Sequence, residues 1–492
     1  MNNASSVDMN TFGHPIGQRL GQWLGVRGTG AAGTAAQSPA FTLPAVASSQ
    51  RLLVRCWLGL ALAALAGSGL FSVLLVLART PGINAWLPAG DFFRVALVVH
   101  VDLSVLVWFV AIAGLLWSLN QRTAQSALAS ALAWAALALA ALGALGMALA
   151  AFVGPAEPVM ANYIPVLDNV AFRAALAVFG LGALLLVLQG LVRPTSLGPA
   201  LDGTGALRFG LNASVVAAAV ALLAFGWSLA VVPMALPAKA YYEILFWGGG
   251  HALQFTWTLM MLVAWLALVQ ACGKQVSLSP RVVLLMFAVA LVGVFVTPLA
   301  YVLHDATTVE HRELHTWGMR IGGGLAIAPL ALAVLLALAR RLTPALTAQQ
   351  RPLRAALLAS MLLFVAGGVI GLTIQGSNVK IPAHYHGCIV GVTLALMGLV
   401  YHLLPQLGWR APAGRLAVMQ PWLYGSGQLM HIVGLVWSGG YGVQRKVAGS
   451  EQVLRSSGEV AGMGLMGLGG VLAIAGGLLF VVVVWRAVRA QR

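Results

Sequence analysis

From Arg51 to the end of the chain, apolar residues recur in runs of 18 or more, broken by short clusters of Gly, Pro and charged residues. Runs of that length cross a bilayer as helices. Twelve spans are predicted, at about 55–79, 92–118, 126–151, 170–192, 209–234, 245–270, 281–303, 317–339, 354–375, 384–405, 420–441 and 463–485. No segment alternates apolar and polar residues as a strand would, which excludes a β-barrel. The predicted fold is all-α, a polytopic membrane protein with 12 transmembrane helices. Residues 1–50 are rich in Ser, Gly, Ala, Thr, Asn and Gln and lack periodicity. They are predicted to be a disordered cytoplasmic tail and not a signal peptide, leaving 51–492 as one twelve-helix domain.

Composition agrees. Of 492 residues, 60% are hydrophobic and 8% charged, far below the roughly 25% charged of soluble domains. The net charge of +16 is explained by topology. With the amino terminus inside, 16 basic residues lie on inner segments and 10 on outer ones, leaving aside Arg19 and Arg27. Nine of the twelve acidic residues fall outside or at the outer rim. By the positive-inside rule both termini are cytoplasmic. The expected location is a bacterial inner membrane, with lipid as the surrounding medium and no nucleic-acid partner. Cys56, Cys272 and Cys388 form no CxxC or haem-attachment motif.

Ionisable groups inside membrane helices are costly and usually functional. On this topology His100, His251, His304, His384 and His386 come from four spans yet share one depth, the outer third of the membrane, toward the periplasmic side. Histidine is the commonest metal ligand near neutral pH, and helix bundles build cofactor sites from facing helices. His384 and His386 project about 200° apart around a helix. They therefore suit two metals on opposite sides of it.

Twelve spans with histidines in the second, sixth, seventh and tenth, and the segment Ala383-His384-Tyr385-His386, resemble subunit I of the haem-copper oxidase and nitric oxide reductase superfamily. The resemblance implies that His100 and His386 bind a low-spin haem b and His384 a high-spin haem b. It implies that His251, in Trp247-Gly-Gly-Gly-His251, binds a non-haem metal, and that Arg445-Lys446 holds haem propionates. Where the family ends its seventh helix in two metal-binding histidines, this chain has His304-Asp305. Two readings stand for Asp305: a metal ligand with His251 and His304, or a cap of the outer loop. Two imidazoles and a carboxylate suit non-haem iron, whereas copper prefers nitrogen-rich sites. His311 and His315 either join the site if their loop folds back or are solvated loop residues or haem-edge contacts.

Oxygen reductases of the superfamily carry a tyrosine four residues after the sixth-helix histidine, or earlier on the seventh helix. Those positions here are Phe255 and Pro298, with Tyr301 the available substitute. Both departures lead to the expected function, a nitric oxide reductase converting 2 NO to N2O at high-spin haem and non-haem iron. The alternatives are an oxygen-reducing terminal oxidase, with copper as the second metal, and a non-catalytic haem sensor. Glu310 and Glu313 are expected to deliver protons from outside, with Glu157, Asp168 and Glu243 as further outer acids. His402 and His431 are read as packing residues. With no copper-binding Cys pair, electrons are expected from a partner subunit, cytochrome c, a cupredoxin or quinol.

Overall fold

The computed structural model describes residues 40–83, 90–123, 126–198, 201–340 and 345–490. The expected tail falls outside it as far as residue 39. Residues 40–50 are part of the fold: Phe41 is buried, and Thr42 hydrogen-bonds Thr204 through their hydroxyls at 2.8 Å.

Twelve long helices follow. They are α1 (Arg51–Arg79), α2 (Gly90–Val101, Asp102–Val107 and Trp108–Asn120 in continuous succession), α3 (Ala127–Ala150), α4 (Val170–Val192), α5 (Gly203–Val231) and α6 (Ala238–Ala271). Then come α7 (Pro280–Val294 and Val296–Leu303), α8 (Val309–Ala339), α9 (Gln350–Gly371), α10 (Lys380–Leu403), α11 (Arg415–Gly440) and α12 (Ser457–Arg489). Eleven are long and apolar enough to cross a membrane. The other, α11, contains Gln, Ser, Gly and His through its middle. It pairs along its length with α12, where backbones approach over bare glycines: a side chain at Gly427 or Gly434 would strike the α12 backbone. Such small-residue contacts hold helices together where lipid offers no hydrophobic driving force.

Burial separates the helices by role. The most apolar windows of α6, α10 and α2 are 83%, 78% and 72% buried, against 28–50% for the other eight spans. These innermost three carry His251, His384, His386 and His100. In α2 the stretch Asp102–Val107, just past His100, is π-helical, a geometry that occurs mostly as single bulges at functional sites. Outside the helices, Pro158–Val159 (β1) and Val166–Leu167 (β2) pair antiparallel in the loop between α3 and α4. This hairpin lies over the N-terminal end of α6.

The largest departure from the expected spans is at α8, which starts at Val309, eight residues early. Thr308 caps it, its side chain accepting from the backbone N–H of His311 at 3.3 Å. Glu310 stands in the first turn, where a negative charge suits the helix dipole. His311 and His315 therefore lie on one face of an ordered helix, one turn apart.

Candidate metal centre

The run Gly248-Gly249-Gly250 ahead of His251 is built to receive three aromatic rings. A Cβ at Gly248 would stand 2.5 Å from the Tyr301 hydroxyl and 3.0 Å from His315 Nε2. One at Gly249 would strike Phe225, and one at Gly250 would strike the ring of Tyr163. The bare backbone thus lets α7, α8 and the outer hairpin close on His251.

Three imidazoles meet there. The rings of His251 and His315 are 5.5 Å apart, and those of His311 and His315 4.6 Å. All three are buried. His251 Nδ1 and His315 Nδ1 donate to the carbonyls of Trp247 and His311, at 2.9 and 2.8 Å. That tautomer leaves Nε2 of each ring with its lone pair. His315 Nε2 and both nitrogens of His311 are buried without a hydrogen-bond partner. Buried polar atoms are nearly always satisfied, so orphaned imidazole nitrogens clustered at one spot fit a metal ion. Among the described residues no three such side chains are already arranged to chelate, so closure on an ion requires side-chain rotation.

Tyr301 packs edge-on against His311, with ring centroids 4.6 Å apart. Its hydroxyl shares a 2.6 Å hydrogen bond with Ser228. Tyr163 reaches the other side of the cluster, its hydroxyl 3.1 Å from His251 Nε2.

His304 and Asp305, the other expected ligands, stand near enough to act electrostatically on His311 but share in none of these ring contacts among the described residues. The helix α7 ends at Leu303 and the chain turns away, leaving His304 half-buried and Asp305 exposed. Asp305 Oδ1 accepts from the hydroxyl and backbone N–H of Thr307, at 2.6 and 2.8 Å. Those two hydrogen bonds hold its carboxyl below the usual range. Asp305 shapes the turn into α8. Glu310 and Glu313 are exposed at the start of that helix.

A second cluster gathers around α10. His386 and His431 have ring centroids 5.0 Å apart, with His100 and the half-buried Arg79 close by. His100 Nδ1 is held 2.9 Å from the Ser68 hydroxyl, and His431 Nδ1 3.0 Å from the Met466 carbonyl. Metal-bound histidines characteristically have the other ring nitrogen held in this way. Tyr385, between the two histidines of α10, is 37% exposed. His384 faces away, toward α9, with Nδ1 2.7 Å from the Gly367 carbonyl. The bare backbone of Gly371 lies beside that ring. The two histidines thus serve opposite sides of α10, as their spacing predicts. Pinned imidazoles on facing helices and Arg79, which among the described residues hydrogen-bonds neutral Gln452 and the Gln444 carbonyl, fit a haem with an anionic edge.

Arg445 and Lys446 lie in the loop between α11 and α12. Burial, with Arg445 alongside, lowers the Lys446 ammonium to about 8. Lys446 is the one non-glycine residue with positive φ among those described, at 64°. Such backbone is held only where its surroundings require it.

Sequence reasoning missed His431, Tyr163 and the placement of His311 and His315. The last had a signal, Thr308 followed by an acidic first turn, with His311 and His315 four residues apart. Tyr163 had none, because its contact with His251 spans 88 positions.

Comparison with known proteins agrees. The chain is 28% identical over 499 residues to an uncharacterised protein of Rickettsia prowazekii (strain Madrid E), covering 88% of this chain and 95% of that one. It is 26% identical over 366 residues to an uncharacterised protein of Aquifex aeolicus (strain VF5), covering 73% and 86%. A solved haem-copper terminal oxidase dimer has the same fold at 17% identity, with a TM-score of 0.67 over 91% of this chain and 85% of that one. The family model for cytochrome c and quinol oxidase polypeptide I matches residues 52–479. The chain therefore belongs to that family, the haem-copper oxidase subunit I proteins, and is a membrane oxidoreductase.

Proposed function

We propose that the chain is the catalytic subunit of an oxygen-reducing terminal oxidase, with its non-haem metal on His251, His311 and His315. One observation carries this reading: three buried imidazoles meet, and the orphaned nitrogens belong to the two that the sequence placed in a loop. The three donors of this set are all nitrogen, which favours copper over iron. His384 would hold the high-spin haem b, His100 and His386 the low-spin haem b, and Arg79, Arg445 and Lys446 the anionic edges. When bound, these groups supply electrons and the binding position for the gas.

The chain's own residues prepare that position. The carbonyls of Trp247 and His311 fix the imidazole tautomers. Tyr301, hydrogen-bonded to Ser228 and packed on His311, places a phenol beside the centre. Glu310 and Glu313 stand exposed in the first turns of α8, interleaved in sequence with His311 and His315, and serve proton uptake from the periplasmic side. Electrons come from a partner redox protein or quinol, and the membrane is a bacterial inner membrane with both termini cytoplasmic.

A second reading has one observation in its favour. Phe255 stands where the commoner oxygen reductases carry their tyrosine, and coupling two NO to N2O needs no phenol. Gas consumption by the purified, reductant-fed protein separates the two. The proposal expects oxygen uptake that is lost in His315→Ala. Nitric oxide turnover without oxygen uptake would overturn it.

A further inference from the structure

The hairpin between α3 and α4 brings Tyr163 onto His251 and fastens it there from three directions. Its ring lies on the bare backbone of Gly250 and packs edge-on against Trp247, with centroids 5.8 Å apart. The neighbouring Asn162 is gripped by Glu243 of α6, whose Oε2 accepts from the Asn162 backbone N–H at 3.1 Å and whose Oε1 accepts from its side-chain amide. From the opposite side Lys446 Nζ donates to the Met160 carbonyl at 2.6 Å, and Arg445 to Asn162 Oδ1 at 3.2 Å. A phenol held this firmly is a designed contact of the site.

Its hydrogen bond defines what it does. Because Nδ1–H of His251 donates to Trp247, Nε2 carries the lone pair, and the Tyr163 O–H donates to it at 3.1 Å. That lone pair is the one a metal would take. Metal–imidazole bonds are roughly 2.0–2.1 Å long. A metal on Nε2 would therefore displace the hydroxyl from its acceptor and leave the phenol beside the metal site.

We propose that Tyr163 is the hydrogen-bond donor to the gas bound at the non-haem metal, supplied by the outer hairpin and not by a membrane helix. This rests on His251 being a ligand of that metal. The test uses the whole reduced protein with carbon monoxide as probe, read by the infrared C–O stretch of the non-haem metal carbonyl in H2O and D2O, alongside metal and haem content. In the wild type the band is expected to shift on deuteration. In Tyr163→Phe the band should move and lose its deuterium shift, while metal and both haems are retained. Metal present in both proteins with identical bands would overturn the role of Tyr163 alone. Absence of non-haem metal from the wild type would overturn the ligand set instead. Should Tyr163→Phe lose its haems through misfolding, Asn162→Ala keeps the phenol and frees it from Glu243. Its carbonyl band should broaden, and an unchanged band would again overturn the proposal.

Discussion

Replacing Gly248 by Ala tests whether α7 and α8 press on α6 as described. The new Cβ would stand 2.5 Å from the Tyr301 hydroxyl, 2.8 Å from its Cε2 and 3.0 Å from His315 Nε2. Tyr301 cannot retreat freely, because its hydroxyl is bonded to Ser228 and its ring is stacked on Trp227, with centroids 5.3 Å apart. Overpacking of this kind costs about 1–3 kcal/mol, and Ala regains about 1 kcal/mol over Gly in a helix. The net loss is therefore about 0–2 kcal/mol. Gly464 in α12, which has nothing within 4 Å of a new Cβ, is the control: Gly464→Ala should gain up to about 1 kcal/mol. Chemical denaturation of the two variants in the same detergent measures the difference. Non-haem metal content should fall in Gly248→Ala, since His315 Nε2 is pushed aside, and stay unchanged in Gly464→Ala. Equal stability with full metal in Gly248→Ala would refute the placement of Tyr301 and His315 against α6.

Thr308→Ala removes the cap of α8 and should cost about 1 kcal/mol, with protease or hydrogen exchange reporting a frayed first turn around His311. Ser68→Ala leaves His100 Nδ1 with only the Ser68 carbonyl, at 3.0 Å, as partner. Loss of such a supporting contact typically weakens metal affinity by about 10–100-fold, read as faster haem loss with a broadened low-spin spectrum. Lys446 gives a pH signature of definite sign. Its folded pKa of about 8 lies below the ordinary 10.5, so between those values the unfolded chain holds a proton that the folded chain has released. Stability of the haem-free protein should therefore rise with pH across that window. The rise should vanish in Lys446→Met, and also when an anion sits on the Arg445–Lys446 pair and restores the ammonium.

The twelve helices were legible because each long apolar run must satisfy its backbone internally wherever it meets lipid. The predicted α4 matches its observed limits, and most other ends differ by a few residues. Histidine depth was legible for the same reason. An imidazole is expensive in that layer, so its presence in α2, α6 and α10 signalled a site before any fold was known. The errors lie where local chemistry or distant contacts decide. At Thr308 a cap and an acidic turn extend α8 outward, carrying His311 and His315 into the bundle, while Asp305 is spent on the turn with Thr307. Phe41 was hidden in a segment of tail-like composition and becomes visible only through its packing against α5. Tyr163 depends on a hairpin that contacts α6 across the sequence, and His431 on the pairing of α11 with α12. No periodicity reports either contact.

The central claim is the ligand set of the second metal. Iron and copper content per purified chain, measured for the wild type, His315→Ala and Asp305→Ala, tests it most directly. The account predicts two irons and one copper in the wild type, loss of the copper in His315→Ala, and its retention in Asp305→Ala. Three irons without copper, or a second metal that disappears with Asp305 and survives without His315, would contradict it.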